Sequence, residues 1–147
     1  MADREALDLG WLDLACDLAA LCPPSRTAFS VGAVIVRDGA ELARGFSREL
    51  DEKNHAEEAA LAKLAGADLA GATVYSSLEP CAQRASRPKP CARLIMEAGI
   101  RRVVFAWREP VLFVPGEGFE VLSEHGVEVV ELPVLREKAK KPNLHLL

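Results

Sequence analysis

No apolar run in this 147-residue chain is long enough to cross a bilayer. The first residues, Met1-Ala2-Asp3-Arg4-Glu5, are charged and acidic where a secretory signal turns basic and then apolar. These absences predict a cytoplasmic protein with no membrane partner. A basic excess is also lacking: 18 Lys and Arg face 22 Asp and Glu, a net charge of -4. Phosphate backbones need a basic footprint, so no nucleic-acid partner is expected. One local exception is the cluster Arg84, Arg87, Lys89, which reads either as a contact for one phosphate or as a solvated loop. Cysteine is sparse, with four residues, and in a cytoplasmic chain disulfides are not expected. Cys16 and Cys22 have neither a C-x-x-C spacing nor a nearby His, and read as small buried hydrophobes. Repeats and low-complexity tracts are absent. One domain over residues 1–147 is expected, with a core over about 5–132 and a tail over about 133–147.

What is present alternates between helical and strand-like patterns. Leu7, Trp11, Leu14, Leu18 and Leu21 recur at three- and four-residue steps, which predicts a helix from Asp3 to Leu21, ended by Pro23-Pro24. Val31 to Val36 is β-branched and continuous, a buried strand. Asp38-Gly39 turns it into a second strand over Glu41 to Ser47. Gly32, inside the first strand, reads as a close approach to a ligand or as a bulge. Further elements follow: a helix from about His55 to Leu64 with Asn54 as N-cap, a strand from Thr73, a helix from Cys91 to Ala98, a strand from Ile100 to Trp107, a short helix over Gly116 to His125, and a strand over Val127 to Leu132. The order predicts an α/β fold, a three-layer α/β/α sandwich on a mixed five-stranded sheet with an antiparallel hairpin and a parallel remainder.

The chemistry gathers at His55-Ala56-Glu57 with Cys81 and Cys91. One imidazole and two thiolates suit zinc, and three protein ligands leave the fourth position open, as in catalytic sites. Glu57 is placed to act as acid and base beside it. A structural zinc would want a fourth ligand, and His125 and His145 stand far off with no matching pattern. A hydrolase with Cys91 as nucleophile and His55 as base would leave Cys81 and Glu57 unexplained.

These motifs resemble the cytidine deaminase-like superfamily, whose signature is H-x-E followed by Pro-Cys and a second cysteine. Within it, Asn54-His55-Ala56-Glu57, Ser77-Leu78-Glu79-Pro80-Cys81, Arg87-Pro88-Lys89-Pro90-Cys91 and Ala98-Gly99-Ile100 resemble the deaminase domain of bacterial riboflavin biosynthesis, in the same order. The chain departs from that pattern in three places: nine residues between the cysteines, Phe29-Ser30 before the first strand, and Arg108-Glu109-Pro110-Val111 after the fourth. Phe29 to Ala33 instead resembles nucleoside deaminases.

The resemblance implies hydrolytic deamination: one zinc ion per chain on His55, Cys81 and Cys91, Glu57 carrying protons, and an exocyclic ring amine leaving as ammonia. The implied substrate is a small aminopyrimidine-type heterocycle, with or without phosphate, of the riboflavin-intermediate kind. A free nucleoside, nucleobase or specialised metabolite is the alternative, and a non-catalytic zinc-stabilised binding protein the third. Implied substrate contacts are Phe29, Ser30, Val31, Gly32, Ala33, Ser47, Ser77, Glu79, Arg87, Lys89 and Glu109. Arg48 and the segments 82–90 and 109–114 complete the regions that set substrate identity. A Leu-rich first helix and tail, with the resemblance, imply a homodimer or higher homo-oligomer.

Overall fold

A computed structural model describes residues 2–81, 89–108 and 118–147. Five strands form one sheet in the order β2-β1-β3-β4-β5. They are β1 (Gly32–Arg37), β2 (Ala40–Phe46), β3 (Thr73–Leu78), β4 (Arg102–Trp107) and β5 (Glu128–Glu131). β1 runs antiparallel to both β2 and β3, while β3, β4 and β5 are parallel, so the sheet is mixed as expected. The β1–β2 turn holds Asp38 at φ 52° and Gly39 at φ 75°, the left-handed pair that a two-residue hairpin requires.

Side chains along the sheet alternate between two buried layers, following the period-two rule of a strand. Val34, Val36, Tyr75 and Val104 face helix α1 (Ala2–Ala19) and the C-terminal segment. Ile35, Val74 and Val103 face the other side, where Ala60, Ile95 and Leu122 come from α2 (Ala56–Ala62), α3 (Cys91–Glu97) and α4 (Gly118–Glu124). The result is the three-layer sandwich, with the parallel strands joined through helices.

Three expectations need correction. The predicted stripe of α1 holds in its middle and fails at its ends. Leu18 is buried and Trp11 and Leu14 pack on the core as expected, but Leu7 and Leu21 are 62% and 65% exposed, and Asp8, Leu12, Cys16 and Ala19 join the buried face instead. Small residues on the buried face let α1 lie directly on β1. A Cβ at Gly32 would collide with the Ala15 carbonyl and crowd the Ala19 amide, so Gly32 serves helix packing and not a ligand or bulge. The third correction is the tail, which is ordered. Residues 133–135 form a 3-10 turn, α5 covers Arg136–Lys140, and a further 3-10 stretch covers Lys141–Leu146. Leu135, Ala139 and Asn143, spaced four apart, turn toward the protein; Ala139 and Asn143 are 1% exposed. Lys138 completes the attachment with ion pairs of 2.7 Å to both Asp13 and Asp17 of α1.

None of the described helices is long and apolar enough to cross a membrane. All four cysteines are free; Cys16 is buried and Cys22 half-buried.

Candidate metal centre and its cavity

His55 is the N-cap of α2, with extended backbone (φ -90°, ψ 158°). Its own N–H donates to Glu58 Oε1 at 3.2 Å, which satisfies one orphan donor at the helix start. Asn54, expected at this cap, is one residue further out. A Cβ at Gly45 of β2 would strike the Ala56 carbonyl, so glycine there lets the start of α2 sit tight on the sheet. Cys81 follows the end of β3. Cys91 is the first residue of α3, behind Pro90 as N-cap.

These elements bring the three proposed ligands together. His55 Nδ1 lies 3.3 Å from Cys91 Sγ and 3.6 Å from Cys81 Sγ. The three donor atoms all lie within 4.8 Å of one another. Tetrahedral zinc with ordinary Zn–S and Zn–N bonds sets nitrogen and sulfur about 3.5 Å apart, so the donors fit zinc. The Cys91 backbone N–H donates to Cys81 Sγ at 3.2 Å, and the Ala92 N–H to the Cys81 carbonyl at 3.0 Å. The Cys81 thiol is held well below its ordinary pKa. Hydrogen bonding with Cys91 is the largest cause, and His55 adds to it against the opposing effect of burial. A thiolate prepared in this way is the form that binds a metal.

The centre opens into a cavity of about 380 Å3 whose wall includes His55, Glu57 and Cys81. Glu57 is buried at 4% exposure on the first turn of α2. Phe29, Val31 and Leu78 supply apolar wall. Phe29 meets Trp107 edge-on at 5.4 Å between ring centroids.

Of the further residues expected around a substrate, Phe29, Val31, Ser47 and Glu79 line this cavity. Ser47 Oγ accepts the Val31 N–H at 2.9 Å, and Glu79 Oε2 accepts the Phe119 N–H at 2.7 Å. Ser30, Gly32, Ala33 and Ser77 are not in the wall. Gly32 and Ala33 lie beneath α1, the Gly32 N–H donates to Ser77 Oγ at 3.1 Å, and Ser30 is buried. Lys89 is not in the wall and pairs with Glu97 of α3, with Nζ 2.7 Å from its carboxylate. Arg87 and Glu109 fall outside the described residues.

Sequence reasoning did not foresee what holds the cavity's lip, residues 23–30. Arg48, at φ 62°, donates to the Pro23 carbonyl at 3.1 and 2.7 Å, to the Phe29 carbonyl at 3.1 Å and to Ser30 Oγ at 2.7 Å. Asn143 Oδ1 accepts the Ser30 N–H at 2.6 Å, and its Nδ2 donates to the Ser30 carbonyl at 2.9 Å. His145 Nε2 lies 2.6 Å from the Ser25 carbonyl. Arg48 carried one local signal, its place after the second strand; Asn143 and His145 carried none.

Fold and site define the class. The profile of the cytidine and deoxycytidylate deaminase zinc-binding region matches residues 6–107, and the chain belongs to that family. Among its members, the diaminohydroxyphosphoribosylamino-pyrimidine deaminase of Schizosaccharomyces pombe is 40% identical over 114 residues, covering 75% of this chain and 28% of that protein. The enzyme of the same name from Buchnera aphidicola is 35% identical over 78% of this chain and 75% of its own length. A solved structure of a diaminohydroxyphosphoribosylaminopyrimidine deaminase/5-amino-6-(5-phosphoribosylamino)uracil reductase from Thermotoga maritima superposes with a TM-score of 0.78 at 38% identity, covering 95% of this chain and 40% of that one. The chain thus spans well under half the length of several relatives that it matches.

Proposed function

We propose that this chain is a zinc-dependent hydrolytic deaminase acting on a small aminopyrimidine of the riboflavin-intermediate type. The observation that carries the reading is the convergence of His55 Nδ1, Cys81 Sγ and Cys91 Sγ beside a cavity whose wall includes His55, Cys81 and the buried Glu57. His55, Cys81 and Cys91 would hold the metal. Zinc, when bound, supplies the Lewis acidity that lets water ionise near neutral pH.

The rest falls to the chain's own residues. Glu57 takes a proton from the attacking water and delivers it to the ring nitrogen next to the amine-bearing carbon. Water oxygen forms the new C–O bond, the C–N bond breaks, and the amine leaves as ammonia with a proton passed on by Glu57. Phe29, Val31 and Leu78 give the ring an apolar berth that excludes bulk water. The relatives' names support the aminopyrimidine class.

Glu57→Gln tests the reading. It keeps the size of the side chain and removes the proton carrier. Ammonia release from 2,5-diamino-6-ribosylamino-pyrimidin-4-one 5′-phosphate should fall at least ~100-fold, with bound zinc unchanged. An unchanged rate, or no ammonia from the wild type on this and a wider aminopyrimidine panel, refutes it.

The ion pair of Lys89 with Glu97 favours a second substrate reading, an unphosphorylated nucleoside or nucleobase, because it removes one expected phosphate contact. Comparing each substrate with its dephosphorylated form separates the two. Self-association belongs to the same proposal, supported by the exposed Leu7, Leu21 and Leu144, and light scattering on the purified chain measures it.

A further inference from the structure

We infer that the side-chain amide of Asn54 reads a hydrogen-bond acceptor on the substrate ring, a carbonyl oxygen or an unprotonated ring nitrogen. The inference rests on the cavity being the substrate site proposed above.

Asn54 precedes His55, and because His55 caps α2, Asn54 is released from capping. It is 4% exposed and forms part of the cavity wall. Its backbone is held on both sides: its N–H donates to the Asp51 carbonyl at 3.1 Å, and its carbonyl accepts the Arg48 N–H at 2.7 Å. Its side chain is oriented as well. Oδ1 accepts the Leu50 N–H at 3.4 Å, and the flipped amide would set NH2 against that donor. Nδ2 is therefore the end turned away from the loop. It has no protein partner among the described residues. It is also absent from the fully enclosed unpartnered atoms there, of which Arg102 Nε stands alone. A buried residue whose donor is neither bonded nor sealed must present it to the opening it lines, and that opening is this cavity.

The other buried polar side chains of the wall are committed. Ser47 Oγ and Glu79 Oε2 accept backbone N–H groups, and Glu57 carries protons. Asn54 is the buried neutral donor that remains. A donor with two N–H and an immobilised backbone recognises an acceptor without first paying to order itself. It also discriminates, because a ring carrying C–H at that point would leave a buried amide unpaired.

The test uses zinc-loaded full-length chain and binding measured by calorimetry, so it does not depend on turnover. The probes are matched pairs that differ in one ring carbonyl: cytosine with 4-aminopyrimidine, and 2,5-diaminopyrimidin-4-one with 2,5-diaminopyrimidine. Wild type should bind the carbonyl member of at least one pair tenfold or more tightly. Asn54→Asp keeps an oxygen for the Leu50 N–H and removes the donor; Asn54→Ala removes the donor with no added charge. Both should cut that preference to within threefold while zinc content stays at one per chain. The inference is overturned if either variant keeps the preference, if both members of a pair weaken equally, or if wild type binds no probe or shows no preference. Should wild type bind with the expected preference yet release no ammonia from any aminopyrimidine, the deaminase reading fails and the role of Asn54 is still decided by the binding data.

Discussion

Asp8 shows how a single buried acid can fasten a helix to the sheet. It is 5% exposed, accepts the Tyr75 hydroxyl at 2.6 Å, and takes two N–H bonds from Arg102 at 2.9 and 2.7 Å. Burial alone would raise its pKa; the hydrogen bonds from Arg102 and Tyr75 outweigh it and leave the carboxyl below its usual value of 3.8. Because the folded value is the lower one, the ion pair stabilises fully above the ordinary carboxylate range, and that contribution fades as pH falls through the lowered value. Asp8→Asn strands a buried guanidinium, so urea unfolding at pH 7 should show a loss on the order of 3 kcal/mol. The gap from wild type should narrow as the pH drops below about 4. None of this was legible in sequence. The partners of Asp8 lie 67 and 94 positions away, and an acid in a helix reads as solvent-facing, so the predicted stripe takes in Leu7 and leaves out Asp8. His55, Glu57, Cys81 and Cys91 were legible for the opposite reason: metal chemistry restricts residue type and spacing within short segments. Asn54 was visible but misread, since Asn before a helix matches a cap as well as a ligand donor.

At the scale of elements, the strands were readable because β-branched runs bounded by turns have few other solutions, and continuous apolar runs fit a sheet covered on both faces. The C-terminal segment was not, because its apolar face is only Leu135, Ala139 and the polar Asn143. Its hold on the cavity lip is nevertheless specific. Asn143→Ala would leave the Ser30 N–H and carbonyl buried without partners, at about 1–3 kcal/mol each. The expected result is a melting temperature lower by about 5–10 °C, with a raised KM and unchanged zinc content measured by atomic absorption. An unchanged KM with a lowered melting temperature would make the segment a brace for the fold alone.

For the whole molecule, the metal would join parts of the chain that meet only through folding: the start of α2, the segment beyond β3 and the start of α3. Binding to the folded form alone shifts the unfolding equilibrium by mass action. Zinc at a hundredfold excess over its Kd should add about 2.7 kcal/mol. Scanning calorimetry should show a melting temperature about 5–10 °C higher than after chelation. Cys91→Ser should blunt that response. The lip, by contrast, is moored mostly through its backbone. Arg48 holds the Pro23 and Phe29 carbonyls, Asn143 holds both polar groups of the Ser30 peptide backbone, and His145 meets the Ser25 carbonyl. Such moorings are blind to side-chain identity, the exceptions being Ser30 Oγ, Ser25 Oγ, which accepts the Thr27 and Ala28 N–H groups, and the Phe29 ring against Trp107. Thr27 and Ala28 can therefore be randomised together as a library with the anchor points intact, so the wall of this cavity is suited to being rewritten while the His55, Cys81 and Cys91 cluster is left alone.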